Sequence, residues 1–366
     1  MPHRVLSMDG TSISGGEGYV TAGMLKSLRE NLTAKGQTQS LLNDVELFSG
    51  TSAGAFNAAF FASYENPDDA FPKILDFWGE VVSMNRKAVG LARTALALTG
   101  NSALLDSSYM RDFFCSYFGA TLRLGDLKRK VALPSFQLDG QRKALRTWKA
   151  KVFHNTGHDN DPDLNELVVD VLMRSGSPPL SYPIYQGMRH EGSGYVDGGI
   201  FANNPSLVAL AQIVNNITRK SRAEKVETME TEPPDLTNIL MMSVGNGCTS
   251  SYLTPRFCNG VANWGFSNWL LDFHDPMVLV KMMLEAGSDA ADHQCRMILR
   301  KKYFRLNPVV EHSLSAGNTK QVESTVQQLV STQSTLMQLN RAQAWLGKSG
   351  WMEKSAPSQT QPTPAT

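Results

Sequence analysis

Residues 45–62 constrain the fold more than any other stretch. Val45-Glu46-Leu47-Phe48-Ser49 is a short, mostly apolar run of strand type, and it passes directly into Gly50-Thr51-Ser52-Ala53-Gly54. An uncharged segment rich in Ala and Phe follows and reads as a buried helix. A strand that becomes a helix within a few residues needs close backbone approach, and the flanking glycines allow it where a Cβ would collide. A serine at the centre of such a turn projects its hydroxyl from the sheet edge. The helix N-terminus beside it supplies partial positive charge and N–H groups without partners inside the helix. The pentapeptide alone is a weak signal; the apolar strand before it and the small-residue helix after it give it weight.

The preceding residues extend this unit. Residues 4–9 read as a buried strand, residues 10–18 as a loop of small residues, and Val20, Met24, Leu25, Leu28 and Leu32 as one face of a helix. Strand, loop, helix, strand, turn and helix in this order predict an α/β fold with a mostly parallel sheet. Further along, Phe71 to Val82 and Tyr109 to Tyr117 carry helical spacing. Residues 145–153 suit a strand, with Trp148, Ala150 and Val152 on one side and Lys149 and Lys151 on the other. Asp163 with Glu166 has the spacing of a helix-start capping box. Residues 175–187 form a loop, Asn204-Pro205 opens a helix, and residues 239–244 are a buried strand ending at Gly245-Asn246-Gly247. Val322, Val326, Leu329, Leu336 and Met337 predict a late helix. Residues 87–105, rich in Ala and Leu, suit either a core helix or a lipid-contacting cover over an apolar site.

Hydrophobic residues make up 42% and charged residues 19% of the 366, enough apolar content for a sizeable core. A net charge of +1 gives no global attraction to nucleic acid. Cys115, Cys248, Cys258 and Cys295 form no Cys-x-x-Cys pair and show no metal-ligand spacing, so free thiols are expected. The N-terminal apolar stretch is too short for a signal-peptide core, and no uninterrupted apolar run is long enough to span a bilayer. The expectation is a cytoplasmic protein, with peripheral membrane contact and an oligomeric state the sequence does not fix. The loop at residues 10–18 lacks both Gly-x-Gly-x-x-Gly and a P-loop lysine, which argues against a nucleotide site.

A nucleophilic serine needs a base. His274, His293 and His312 lie downstream, but none stands in a loop of catalytic character. Asp197-Gly198-Gly199 is more informative, because two glycines after an apolar pair place the carboxylate on a tight, accessible turn.

Three blocks together resemble the patatin-like phospholipase family: Leu6-Ser7-Met8-Asp9-Gly10, Ser49-Gly50-Thr51-Ser52-Ala53-Gly54, and Tyr195-Val196-Asp197-Gly198-Gly199 followed by Asn203-Asn204-Pro205. Leu104-Leu105-Asp106, residues 174–183 and Met242-Ser243-Val244-Gly245-Asn246-Gly247 add weaker matches. The resemblance implies a three-layer α/β/α fold and a lipid acyl hydrolase of phospholipase A or lysophospholipase type, without metal or organic cofactor. It implies Ser52 as nucleophile and Asp197 as base, with no histidine. Gly10, Thr11, Ser12 and Ala53 would supply the oxyanion hole, and Asp9, Gly15, Gly50, Gly54, Gly198 and Gly199 would support the motifs. Its acyl hydrolase domain would span residues 1–310, with a helical extension over 311–354 and a disordered tail over 355–366.

One loop departs from the family pattern Asp-Gly-Gly-Gly-x-Arg/Lys-Gly. Here it reads Asp9-Gly10-Thr11-Ser12-Ile13-Ser14-Gly15, with two glycines and the basic residue replaced. A Cβ restricts the backbone angles open to oxyanion donors. The departure keeps open a catalytically weak lipid-binding or regulatory protein, alongside an α/β-hydrolase triad of Ser52, Asp197 and His274 or His293.

Overall fold

The computed structural model describes residues 2–11, 18–88, 96–97, 101–140, 146–189, 192–224, 235–249, 264–270, 277–310 and 318–352. A seven-stranded sheet forms its centre. The strands are β1 (His3–Met8), β2 (Val45–Gly50), β3 (Lys130–Gln137), β4 (Lys149–His154), β5 (Tyr195–Asp197), β6 (Ile239–Val244) and, after a short two-stranded pairing that begins with β7 (Cys248–Thr249), β8 (Tyr303–Leu306). Their order is β4-β3-β2-β1-β6-β8, with β5 also paired to β3. The β3-β2-β1-β6-β8 core is parallel, while β4 and β5 run antiparallel to β3.

Strand side chains alternate between two helical layers. Leu6, Met8, Phe48, Leu240 and Met242 enter the larger cluster, with α1 (Gly18–Ala34), α2 (Ala53–Ala62), α3 (Ile74–Ala88), α4 (Ser107–Phe118) and α5 (Val168–Ser175). Val5, Leu47, Ile239 and Met241 face the other way. There, beyond the short α6 (Gly199–Ala202), they meet Ala209, Leu210 and Ile213 of α7 (Ser206–Glu224). After α8 (Phe266–Leu270), α9 (Val278–Leu299) adds Cys295 and Leu299 to the same layer. The α/β/α arrangement read from the sequence is therefore the observed one.

Two helices close the described chain, α10 (Thr319–Ser331) and α11 (Gln333–Ser349). The single late helix read from the sequence is split at Thr332, whose side chain caps α11 by accepting from the Thr335 N–H. Val322, Val326, Leu329, Leu339 and Leu346 of this pair enter the larger core cluster. Arg4 Nε donates to the Trp351 carbonyl at 2.8 Å, and Trp351 Nε1 donates to the Leu41 carbonyl at 2.9 Å. A second local expectation also changes. Asp161 caps the 3-10 turn Pro162–Asn165, whereas Asp163 pairs with Lys151 at 2.5 Å and α5 starts only at Val168. The lysine on β4 out-competes the capping role because it offers the buried carboxylate a full charge.

Candidate active site

The site is assembled along one edge of β3. Ser49 of β2 is in register with Ala132, and three residues further along the same strand Ser135 is in register with Asp197 of β5. Thus β2 ends where β5 ends, and the two chains meet head to head beside a shared neighbour. Pro134, which lacks an N–H, falls at this junction, where a continuous ladder is not required. A Cβ at Gly198 would lie 2.3 Å from the Pro134 carbonyl oxygen, so only glycine lets the Asp197 turn sit against β3.

Ser52 leaves β2 with φ 54° and ψ −121°, an unfavourable conformation for a residue with a side chain. A Cβ at Gly50 would come within 2.0 Å of the Gly54 carbonyl oxygen, and one at Gly54 within 2.1 Å of the Met8 carbonyl oxygen. Both glycines are thus required by backbone contact. The Ser52 N–H donates to Ser175 Oγ at 3.0 Å, and Ser175 Oγ donates onward to the Pro134 carbonyl at 2.7 Å. Thr51 Oγ1 donates to the Ala202 carbonyl at 2.6 Å. Behind Ser52, every residue of α2 is buried, which holds the helix axis, and the positive end of its dipole, in place.

Asp197 is buried and accepts from the Gly199 N–H at 2.7 Å, and the Ser52 hydroxyl is close enough to act on the carboxylate's proton affinity. Burial raises its carboxyl to about 6, against the Ser52 hydroxyl and the Gly199 N–H, which act in the lowering direction. The next block braces this turn: Asn203 Nδ2 and Asn204 Nδ2 donate to Oγ and O of Ser288 on α9.

The N-terminal loop lies against Ser52. A Cβ at Gly10 would stand 3.3 Å from Ser52 Cβ. The Gly10 N–H, expected to point at an oxyanion, instead donates to the Asn203 carbonyl at 2.8 Å. That corrects the expectation for Gly10, because its one backbone donor is already engaged. The Thr11 and Ala53 N–H groups have no acceptor among the described residues. Ser12 and Gly15 lie outside the described residues, as do His274, His312, most of residues 87–105 and the tail. His293 is an exposed residue of α9, and among the described residues no histidine contributes to the environment of Asp197.

Sequence reasoning did not find several residues here. Asp9 is held by Arg305 of β8 in a bidentate pair, Nη1 to Oδ1 at 2.8 Å and Nη2 to Oδ2 at 2.5 Å. Arg305 Nη1 also donates to Ser243 Oγ, which accepts from Ser206 Oγ in a buried hydroxyl cluster. Ser175 and Asn246 lie in the two weaker-matching blocks, but those matches gave neither a role. Among the described residues, no cluster of His, Cys, Asp or Glu has the geometry to hold a metal ion.

The fold thus brings Ser52, strained at a strand-to-helix turn, and Asp197, buried on the neighbouring Asp-Gly-Gly turn, to one site. A family model for patatin-like phospholipase matches residues 6–210, and the chain belongs to that family. CotR of Bacillus subtilis (strain 168) is 28% identical over 312 residues, covering 84% of this chain and 87% of that protein. Patatin-like protein 2 of Arabidopsis thaliana is 24% identical over 343 residues, covering 89% of this chain and 79% of that protein. Among solved structures, VipD from Legionella pneumophila aligns with TM-score 0.36 and 12% identity, over 93% of this chain and 67% of that one. Membership makes lipid acyl hydrolysis the general activity of the chain. Among the described residues, no helix is long and apolar enough to cross a membrane.

Proposed function

We propose that this protein hydrolyses fatty acyl esters of phospholipids or lysophospholipids through a Ser52–Asp197 dyad. The observation that carries the reading is the strained Ser52 turn set beside a buried carboxylate whose affinity for a proton is raised. An ordinary aspartate is a weak base; one titrating near 6 can accept the serine proton at neutral pH as attack proceeds.

The steps balance without a third side chain. Ser52 Oγ bonds to the ester carbonyl carbon while its proton passes to Asp197. The tetrahedral oxyanion takes hydrogen bonds from the Thr11 and Ala53 N–H groups, at the positive end of α2. Collapse breaks the ester C–O bond, and Asp197 returns the proton to the leaving alcohol. Water then attacks the acyl-serine with Asp197 again as base, releasing fatty acid and restoring the Ser52 hydroxyl. The substrate's acyl chain provides the apolar binding energy, and bilayer or micelle surfaces are the peripheral partners.

Labelling with a fluorophosphonate probe tests this. Wild type should label, and Ser52→Ala should not. Asp197→Asn should label more slowly by a factor on the order of 100 to 10,000, the usual contribution of a positioned base. Fatty acid release from phosphatidylcholine vesicles and from lysophosphatidylcholine should follow the same ranking. Equal release by wild type and Ser52→Ala would sink the dyad.

A further inference from the structure

Thr11 and Ser12 stand where the family pattern has glycines, so contacts from outside the loop bear on how the Gly10–Thr11 peptide is oriented. The strongest is at Gly10. Its N–H is held by the Asn203 carbonyl at 2.8 Å, and its carbonyl accepts from Asn246 Nδ2 at 2.6 Å. Space on the Ser52 side is closed as well, since a Cβ at Gly10 would lie 2.5 Å from Asn203 Oδ1. The peptide group on either side of Gly10 is therefore fixed by a named partner.

The amide orientation of Asn246 follows from chemistry. The Gly10 carbonyl only accepts, so the NH2 group must face it. The other end of the amide, Oδ1, lies 2.6 Å from Thr21 Oγ1, which donates. Thr21 belongs to α1, the helix that follows the loop, and its hydroxyl also lies 2.8 Å from the Gly245 carbonyl. Asn246 thus joins the end of β6, the start of α1 and the loop between β1 and α1.

There are no cis peptide bonds among the described residues, so the Gly10 C=O and the Thr11 N–H point in opposite directions across one planar group. We propose that Asn246 is a positioning residue: by gripping the Gly10 carbonyl it turns the Thr11 N–H toward the oxyanion that forms at Ser52. This rests on the dyad reading above. The clamp does for Gly10–Thr11 what backbone freedom does in a glycine-rich loop, and it explains how Thr11 can stand in that position.

Two variants of the full chain test it, Asn246→Ala and Asn246→Asp. The first removes the donor. The second keeps the size and the contact with Thr21 but sets a carboxylate oxygen against the Gly10 carbonyl. Both should lower kcat on a soluble ester by about 10- to 100-fold, the range expected when an oxyanion donor is misplaced rather than deleted. KM should stay within about two-fold, because the contact matters in the transition state. An acyl trifluoromethyl ketone, whose serine adduct carries an oxyanion, should lose affinity by the same factor as kcat/KM. A non-hydrolysable ether lipid should bind as before. The Asp variant carries the test if the Ala variant fails to fold. A merely structural asparagine would leave the Asp variant near wild type in kcat and in ketone affinity; that result, or a loss confined to KM, overturns the clamp while fluorophosphonate labelling of wild type leaves the dyad standing. Wild type that neither labels nor differs from Ser52→Ala in turnover overturns the dyad and the clamp with it.

Discussion

Acidification from pH 8 to pH 5 should switch this protein off and, through the same proton, stabilise it. Asp197 is buried, and that burial raises its carboxyl to about 6 from an ordinary 3.8. A base works only when ionised. About nine-tenths of the molecules are then competent at pH 7 and about one-tenth at pH 5. On a soluble ester, kcat/KM should fall about ten-fold between those values, along a one-proton limb with its midpoint near 6.

Stability moves in the opposite direction. A carboxyl whose folded value lies above its unfolded value holds its proton more tightly in the native state. Between about 6 and 3.8 the native state binds more protons than the unfolded chain, so stability rises as pH falls through that window and levels off below it. Keeping the buried carboxylate ionised at pH 8 costs about 3 kcal/mol, of which roughly half is recovered by pH 5. Asp197→Asn cannot ionise and serves as the reference. In urea unfolding, its stability relative to wild type should drop by about 1 kcal/mol on going from pH 8 to pH 5. A difference independent of pH, or one moving the other way, refutes the burial argument. So does an activity limb centred near the ordinary aspartate value.

Three further outcomes follow from the same contacts. Gly54→Ala sets a Cβ 2.1 Å from the Met8 carbonyl oxygen, so a loss on the order of 3 kcal/mol, or failure to fold, is expected in thermal melts. Arg305→Met leaves the Asp9 carboxylate buried without its cation and should cost about 3–5 kcal/mol in urea unfolding, with part of it recovered by adding Asp9→Asn. His293→Ala, at an exposed position, should leave kcat/KM within about two-fold of wild type; a large loss there would revive a histidine triad.

Local patterning made β1, β2 and β6 legible, because each is a mostly apolar run, as expected for parallel strands covered on both faces. It did not reveal β3. Lys130 at its start and Pro134 within it argue against a central strand, and the reason it is tolerated lies in tertiary structure: Pro134 occupies the gap between β2 and β5. The candidate dyad was visible because Ser52 and Asp197 each stand on a glycine-framed turn. Ser175, Asn246 and Arg305 were not, because their roles depend on pairings across 123, 236 and 296 residues, which leave no local trace. The oxyanion loop failed in a different way. Reading Gly10 as a donor assumed that a glycine in that motif keeps its N–H free, and only the position of Asn203 shows otherwise.

The strained conformation at Ser52 and the position of the Asp197 turn are held by the same two residues, Ser175 and Ala202. Residues in such backbone regions cost about 1–3 kcal/mol and persist only when their surroundings fix them. Here the Ser52 N–H is fixed by Ser175 Oγ, and the Thr51 hydroxyl by the Ala202 carbonyl. Ser175 and Ala202 flank Asp197 in the chain: the Ser175 carbonyl accepts from the Gly198 N–H at 3.4 Å, and the Ala202 N–H donates to the Gly198 carbonyl at 3.0 Å. Ser175 Oγ further holds the Pro134 carbonyl, the atom against which Gly198 packs. A shift of the Asp197 turn would therefore release the contacts that keep Ser52 strained. Ser52 and Asp197, the proposed nucleophile and base, thus share one hydrogen-bonded frame, so that a displacement of either turn is transmitted to the other.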